Sequence, residues 1–177
     1  MADAAWRFEG DGIRVLEAPR ETVLVLRLWR PDAAIRATLA QQAWPTVPNG
    51  VSAPGEGCRV AWVAPGEWLL IGRDAAAIAA CAAAALDTTL HHLSDVSAAT
   101  FRLDVEGVSA RRLLAKACSL DLHRRAFGQG SCARSVFAQL PVLVMRVGED
   151  GFELHFDISW RDYVLSWLRQ AVQDIAS

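Results

Sequence analysis

The strongest constraint on this chain is a strand–turn–strand–helix pattern that occurs twice. Val60-Ala61-Trp62-Val63 leads through Pro65-Gly66 to Trp68-Leu69-Leu70-Ile71 and then to a segment of helical periodicity. Val142-Leu143-Val144-Met145 leads through Gly148 to Phe152-Glu153-Leu154-His155 and again to a helix. Each pattern is preceded by a strand and a helix, over Thr22 to Gln41 in one case and Thr100 to Ala117 in the other. The offset is ~80 residues, the length of one βαββαβ unit. The expected fold is therefore α+β: two ferredoxin-like halves, about 20–97 and about 98–177, packed as one globule in a single internally duplicated domain.

Local signals place the elements. The first helix follows Pro31-Asp32 and stops at Trp44-Pro45, where the proline ends it. The second opens at Asp74 and aligns Ile78, Cys81, Ala82 and Ala85 on one face. The third begins near Ser109 and turns Ala110, Leu113, Leu114 and Ala117 inward, leaving Arg111, Arg112 and Lys116 to water. The last is expected to be capped by Ser159, with an apolar stripe from Trp160 and Tyr163 through Val164, Trp167, Leu168, Ala171 and Val172 to Ile175. Strands are expected over Thr22 to Trp29, Arg59 to Ala64, Trp68 to Gly72, Leu90 to Ser97, Thr100 to Glu106, Ser135 to Gln139, Val142 to Val147 and Phe152 to Asp157. Pro45 to Gly57 and Leu120 to Ser131 read as matched loops, of the kind that line one end of a pseudo-twofold fold.

Charge and hydropathy remove several function classes. With 18 basic and 20 acidic residues the formal net charge is -2, and Lys116 is the one lysine. There is no basic excess of the kind a nucleic-acid binder carries. Hydrophobic residues make up 53%, but the longest apolar run, Ala75 to Leu86, is shorter than the ~20 residues a membrane span requires. Met1 to Gly12 lacks the apolar core of a secretory signal. The four cysteines, Cys58, Cys81, Cys118 and Cys132, form no CxxC pair and are expected as reduced, mostly buried thiols of a cytoplasmic protein.

Catalytic and metal chemistry finds little purchase. His91-His92 are neighbours on a strand and point to opposite faces, so they do not share a metal easily. Cys118, His123 and Cys132 match no zinc spacing. Ser94, Ser97, Cys118 and Ser131 lack a nucleophile-elbow glycine pattern. His155 alternates with Phe152, Leu154 and Phe156 and is expected on an exposed polar face. Asp95 and Asp104 are candidates for an acid–base pair on neighbouring strands, or for strand-end turn ligands and solvated charges. Gly128-x-Gly130 is too short for a nucleotide loop and does not join a strand to a helix. The expectation is no catalytic, cofactor-binding or metal residue in this chain.

Seven tryptophans and an almost exclusive use of arginine for positive charge remain. Core packing accounts for most of the tryptophans. Aromatic and arginine side chains also dominate protein interfaces. Trp6-Arg7-Phe8 near the N-terminus and Arg124-Arg125 in the glycine-flanked loop are thus candidates for partner contact, with plain solvation as the competing reading.

Four stretches together resemble the gamma subunit of heterotetrameric sarcosine oxidase: Val60 to Gly72 (VAWVAPGEWLLIG), Leu90 to Gly107 (LHHLSDVSAATFRLDVEG), Ala110 to Leu122 (ARRLLAKACSLDL) and Gly148 to Leu154 (GEDGFEL). That family is related in fold to the folate-binding domain of the glycine cleavage T-protein, and Asp95-Val96-Ser97 followed by a strand and a helix looks like the shared motif. The resemblance implies a non-catalytic scaffold in an α, β, γ, δ assembly that oxidatively demethylates sarcosine to glycine. FAD, FMN and NAD would sit in the partner subunits, and tetrahydrofolate would accept the one-carbon unit.

The folate-binding relatives carry an acid-bearing, glycine-rich segment before the last strands of the domain. Here the corresponding stretch, Phe137 to Val142 (FAQLPV), is short and contains no acid. The alternatives left by the sequence are a stand-alone folate-binding or one-carbon transfer protein, and the equivalent subunit of another N-methyl amino acid dehydrogenase complex.

Overall fold

The computed structural model describes residues 5–29, 31–55, 57–86 and 89–173. The chain forms two compact units, one made of Arg20–Ala98 and the other of the chain on either side of it. Each is a single antiparallel sheet with helices on one face.

The Arg20–Ala98 unit contains β3 (Thr22–Leu28), α1 (Ala33–Gln41), β4 (Val51–Gly55), β5 (Cys58–Ala64), β6 (Glu67–Gly72), α2 (Ala75–Leu86) and β7 (His91–Asp95). Its strand order is β4-β5-β6-β3-β7. The four strands β5-β6-β3-β7 reproduce a ferredoxin-like sheet, and β4 extends it on the β5 side. Both helices start at aspartates. The Asp32 carboxylate accepts the Ile35 amide at 2.8 Å, and that of Asp74 accepts Ala76 at 2.9 Å, each satisfying a donor that the first turn leaves unpaired. The core collects Leu24, Leu26, Leu28, Val60, Leu70 and Ile78 around Trp68, which stacks on Trp62 at 5.4 Å and meets Trp44 edge-on at 6.2 Å. The Ala85 side chain, expected on the α2 stripe, lies outside the described residues.

The second unit contains β1 (Arg7–Gly10), β2 (Ile13–Glu17), β8 (Thr100–Glu106), α3 (Ala110–Ala115), β9 (Cys132–Phe137), β10 (Leu140–Arg146), β11 (Gly151–Asp157) and α4 (Arg161–Gln173). Its order is β1-β2-β8-β11-β10-β9. The strand that completes this ferredoxin-like sheet beside β8 is β2, from the beginning of the chain. The sequence gives no periodic signal strong enough to predict it. A two-residue turn, Asp11-Gly12, joins β1 to β2 with positive φ at both positions (52° and 70°), the conformation of a type I′ hairpin.

The core of this unit packs Val15, Leu103, Val105, Phe152, Leu154 and Phe156 against Leu113, Leu114, Val164 and Leu168. Entry to α4 differs from the expectation that Ser159 caps it. Asp157 is the capping residue, accepting the Ser159 amide at 2.9 Å, and Ile158–Trp160 forms a 3-10 turn before the helix. The Glu17 carboxylate on β2 then accepts two hydrogen bonds from Arg161, at 2.6 and 2.8 Å, fixing the helix start to the completing strand. These bonds hold the Glu17 carboxyl below its ordinary range. Trp160 and Tyr163 are about half exposed rather than part of the buried stripe, and Ile175 lies outside the described residues.

Candidate partner-binding surfaces

The predicted interface residues fall in two places within the second unit. Trp6 and Phe8 are half-buried and pack against the core, while Arg7 between them is exposed. The alternation follows from the strand: Phe8 pairs with Val15 and faces the helices, and Arg7 pairs with Leu16 on the other side. Trp6 is tied in by its amide, which donates to Glu17 at 3.1 Å, and by its carbonyl, which accepts the Glu17 amide at 2.8 Å. The hydrophobic members of this triplet are therefore part of the fold, and Arg7 is its free surface.

Arg124 and Arg125 are both exposed and diverge in role. Arg124 forms ion pairs with Glu149 and Asp150 of the β10–β11 turn. Two further arginines hold the same corner. Arg146 is buried, at 5% exposure, and donates to the carbonyls of Phe127 (2.7 Å), Glu149 (2.8 Å) and Gly148 (3.1 Å). Arg111 donates to the Leu122 carbonyl at 3.1 Å and to the Glu149 carbonyl at 2.6 Å, pairs with Asp150, and lies over the Phe152 ring. The expectation that Arg111 stands in water is thus corrected. Its long side chain reaches a turn 39 residues away, a tertiary contact that helical periodicity does not encode. The Arg111 guanidinium holds the Asp150 carboxyl below its ordinary range. These bonds turn the aperiodic segment 120–131 into an ordered platform that presents Arg125 outward.

The candidates for chemistry are committed elsewhere. His155 is buried, not exposed: β11 is covered on both faces, and the ring lies 3.2 Å from Glu153. The register puts His155 opposite Arg102 and Glu153 opposite Asp104, so the four ionisable groups form one patch on β8 and β11, with Glu153 and His155 buried and Arg102 and Asp104 partly so. Burial raises the Asp104 carboxyl against the pull of Arg102. Asp95 and Asp104 lie in different sheets rather than on neighbouring strands. Asp95 closes a turn, accepting the Ser97 amide at 2.9 Å. His91 contacts the Thr89 carbonyl and His92 the Ser94 hydroxyl, on opposite faces of β7.

The cysteines are reduced, and burial pushes Cys58 up to about 12 and Cys132 to about 11, keeping both protonated and poorly nucleophilic at neutral pH. No group of three or more His, Cys, Asp or Glu side chains among the described residues is arranged to hold a metal ion. No described helix is long and apolar enough to cross a membrane.

A surface that the sequence did not single out lies at one end of the Arg20–Ala98 unit. Trp29 is 70% exposed and Leu90 is 75% exposed, and with Arg27, Glu67, His91 and His92 they line an open cleft of about 370 Å³. Leu93 on the adjoining strand is also exposed. Tryptophan and leucine side chains left this open on a folded unit mark an interaction surface more readily than lone apolar residues do.

The fold is that of the glycine cleavage T-protein: aminomethyltransferase T from Bartonella henselae superposes with a TM-score of 0.56 at 14% identity, over 90% of this chain and 44% of that one. The model of the sarcosine oxidase gamma subunit family (SoxG) matches residues 30–174, and the chain belongs to that family. Among its relatives, the sarcosine oxidase subunit gamma of Corynebacterium sp. strain P-1 is 33% identical over 150 residues, 83% of this chain and 74% of that protein. Its Arthrobacter counterpart is 31% identical over the same shares. The solved heterotetrameric sarcosine oxidase from Corynebacterium sp. U-96 contains a chain that superposes with a TM-score of 0.82 at 28% identity, covering 97% of this chain and 89% of its own.

Proposed function

We propose that this chain acts as a non-catalytic scaffold in a flavin-dependent heterotetrameric sarcosine oxidase of the cytoplasm, assembling with larger alpha and beta subunits and a small delta subunit. The partners carry FAD, FMN and NAD, oxidise the N-methyl group of sarcosine to leave glycine, and pass the one-carbon unit to tetrahydrofolate. The observation that carries this reading is the family match over residues 30–174, supported by superposition on a chain of a heterotetrameric relative.

The chemistry of the side chains agrees with a scaffold. The acids with the chemistry of a general base are engaged: Asp95 in its turn, Asp104 with Arg102, and Glu153 with His155. The buried thiols are held neutral. The stretch from Phe137 to Val142 ends β9 and begins β10 through a turn at Ala138-Gln139, and offers no carboxylate to a folate amine. The arginine-gripped corner and the exposed Trp29–Leu90 end supply contact surface.

The full-length chain purified alone is expected to be colourless, to release no flavin on denaturation and to oxidise no sarcosine. A stoichiometric flavin on the isolated chain, or turnover by it, overturns the scaffold reading. Tight tetrahydrofolate binding by the isolated chain in calorimetry would favour a folate-binding protein instead.

A further inference from the structure

The two sheets have the same four-strand centre but different edges. In the unit that includes the N-terminus, the strand completing the sheet, β2, is itself covered by β1. In the Arg20–Ala98 unit the equivalent completing strand is β7, and among the described residues no strand lies beyond it. One sheet has six strands and the other five, and the position without a strand is that of β1.

The open edge is complete enough to take a strand. The bonds from the Trp29 amide to the Leu90 carbonyl and from the Val96 amide to the Val23 carbonyl fix which residues of β7 face β3. By alternation, His92 and Ser94 pair with β3, and the amides and carbonyls of His91, Leu93 and Asp95 point outward. All three are exposed. Val15 on β2 stands at the place matching Leu93: it points its backbone outward, faces the helices, and pairs with Phe8 of β1.

The other edge strands are blunted. Pro54 and a register shift interrupt β4, and β1 is four residues long with exposed Arg7 and Glu9. The outer side of β9 is met by a bridge between Cys118 and Phe137. β7 has no proline or bulge of the kind that keeps edges from pairing, and its one formal charge, Asp95, stands at the strand end and is engaged by the Ser97 amide and hydroxyl.

We propose that β7 receives an extended segment of another subunit of the assembly, added antiparallel as the sixth strand of this sheet. A large apolar residue of that segment lies opposite Leu93, as Phe8 lies opposite Val15. The adjoining cleft at Trp29 and Leu90 takes a side chain from the same segment. Main-chain hydrogen bonds give such an addition its affinity, and the pockets for alternate side chains give its specificity. This inference rests on the reading of the chain as a subunit.

The test uses the full chain, free and in the assembly purified after co-expression with the other sarcosine oxidase subunits. Amide hydrogen exchange at His91, Leu93 and Asp95 is expected to slow about 100-fold or more on assembly, while His92 and Ser94, already bonded to β3, change less. Leu93→Pro deletes an outward-facing amide that makes no bond to β3, together with the leucine side chain, so the free chain keeps its circular dichroism, and recovery of the other subunits falls about tenfold or more. Should L93P fail to fold, L93K, which places a charge on the edge, is expected to give the same loss.

An assembly whose His91, Leu93 and Asp95 amides exchange as fast as in the free chain overturns the inference and leaves the subunit reading standing. So does protection of those amides by a dimer of this chain alone. Failure of the wild-type chain to recover any other subunit overturns both.

Discussion

Replacing Trp68 with alanine is expected to destabilise the protein by about 3–5 kcal/mol, the range for emptying a fully buried tryptophan site. In a chain of this length that lowers the Tm by about 10 °C. Trp68 is 1% exposed and sits between Trp62, stacked on it, and Trp44, packed against its edge, so its removal deletes both aromatic contacts and leaves a cavity among Leu26, Val60 and Leu70. Its indole nitrogen has no hydrogen-bond partner, in contrast to that of Trp62, which donates to the Ala64 carbonyl at 2.9 Å. Trp68→Phe is therefore expected to be much milder than Trp68→Ala, because the ring stays and no hydrogen bond is lost. Thermal unfolding of the two variants beside the wild type checks this, and equal losses would contradict the packing account.

The second large effect is at Arg146. Arg146→Met keeps much of the side-chain volume but leaves the carbonyls of Phe127, Gly148 and Glu149 without their shared donor. A buried acceptor left unsatisfied costs about 1–3 kcal/mol, and here that acceptor is the Phe127 carbonyl, because Gly148 is partly exposed, Glu149 is exposed and Arg111 still donates to Glu149, so a loss of about 1–3 kcal/mol is expected. The consequence is local before it is global: segment 120–131 loses its anchor at Phe127 and becomes a target for limited proteolysis. Arg146→Lys is expected to rescue little, since an ammonium group lacks the planar fork that reaches three carbonyls at once. Cleavage within 120–131 no faster in Arg146→Met than in wild type would show that the platform is held by something else.

These two sites illustrate what a single sequence carries. The alternation of Phe101, Leu103 and Val105 with Arg102, Asp104 and Glu106 marks β8 plainly, and the same reasoning locates β3, β5, β6, β10 and β11. The duplication followed from the order of those strands. β4 was hidden because Pro54 and Gly55 read as loop chemistry, although an edge strand tolerates both. β1 and β2 are short, and the informative signal was the Asp11-Gly12 pair, a hairpin turn with an aspartate and a glycine both at positive φ.

The burial of His155 is not legible in the sequence, because alternation distinguishes the two faces of a strand but not whether the second face is covered. Arg111 and Arg146 carry no local signal at all: a guanidinium reaching carbonyls across the fold is defined only once the fold exists. The interface candidates divide the same way. Arg124 and Arg125 stand out as candidates by residue type and loop setting, whereas the open β7 edge is a property of sheet order that only the structure displays.

The decisive experiment is affinity purification of the tagged chain from cells that also express the other sarcosine oxidase subunits, with the eluate read by mass spectrometry, flavin absorption and sarcosine oxidation. Co-recovery of larger flavoprotein subunits and sarcosine-dependent turnover in the eluate are expected for a scaffold subunit. Recovery of this chain by itself, colourless and inactive while the other subunits assemble into an active enzyme without it, would contradict that role.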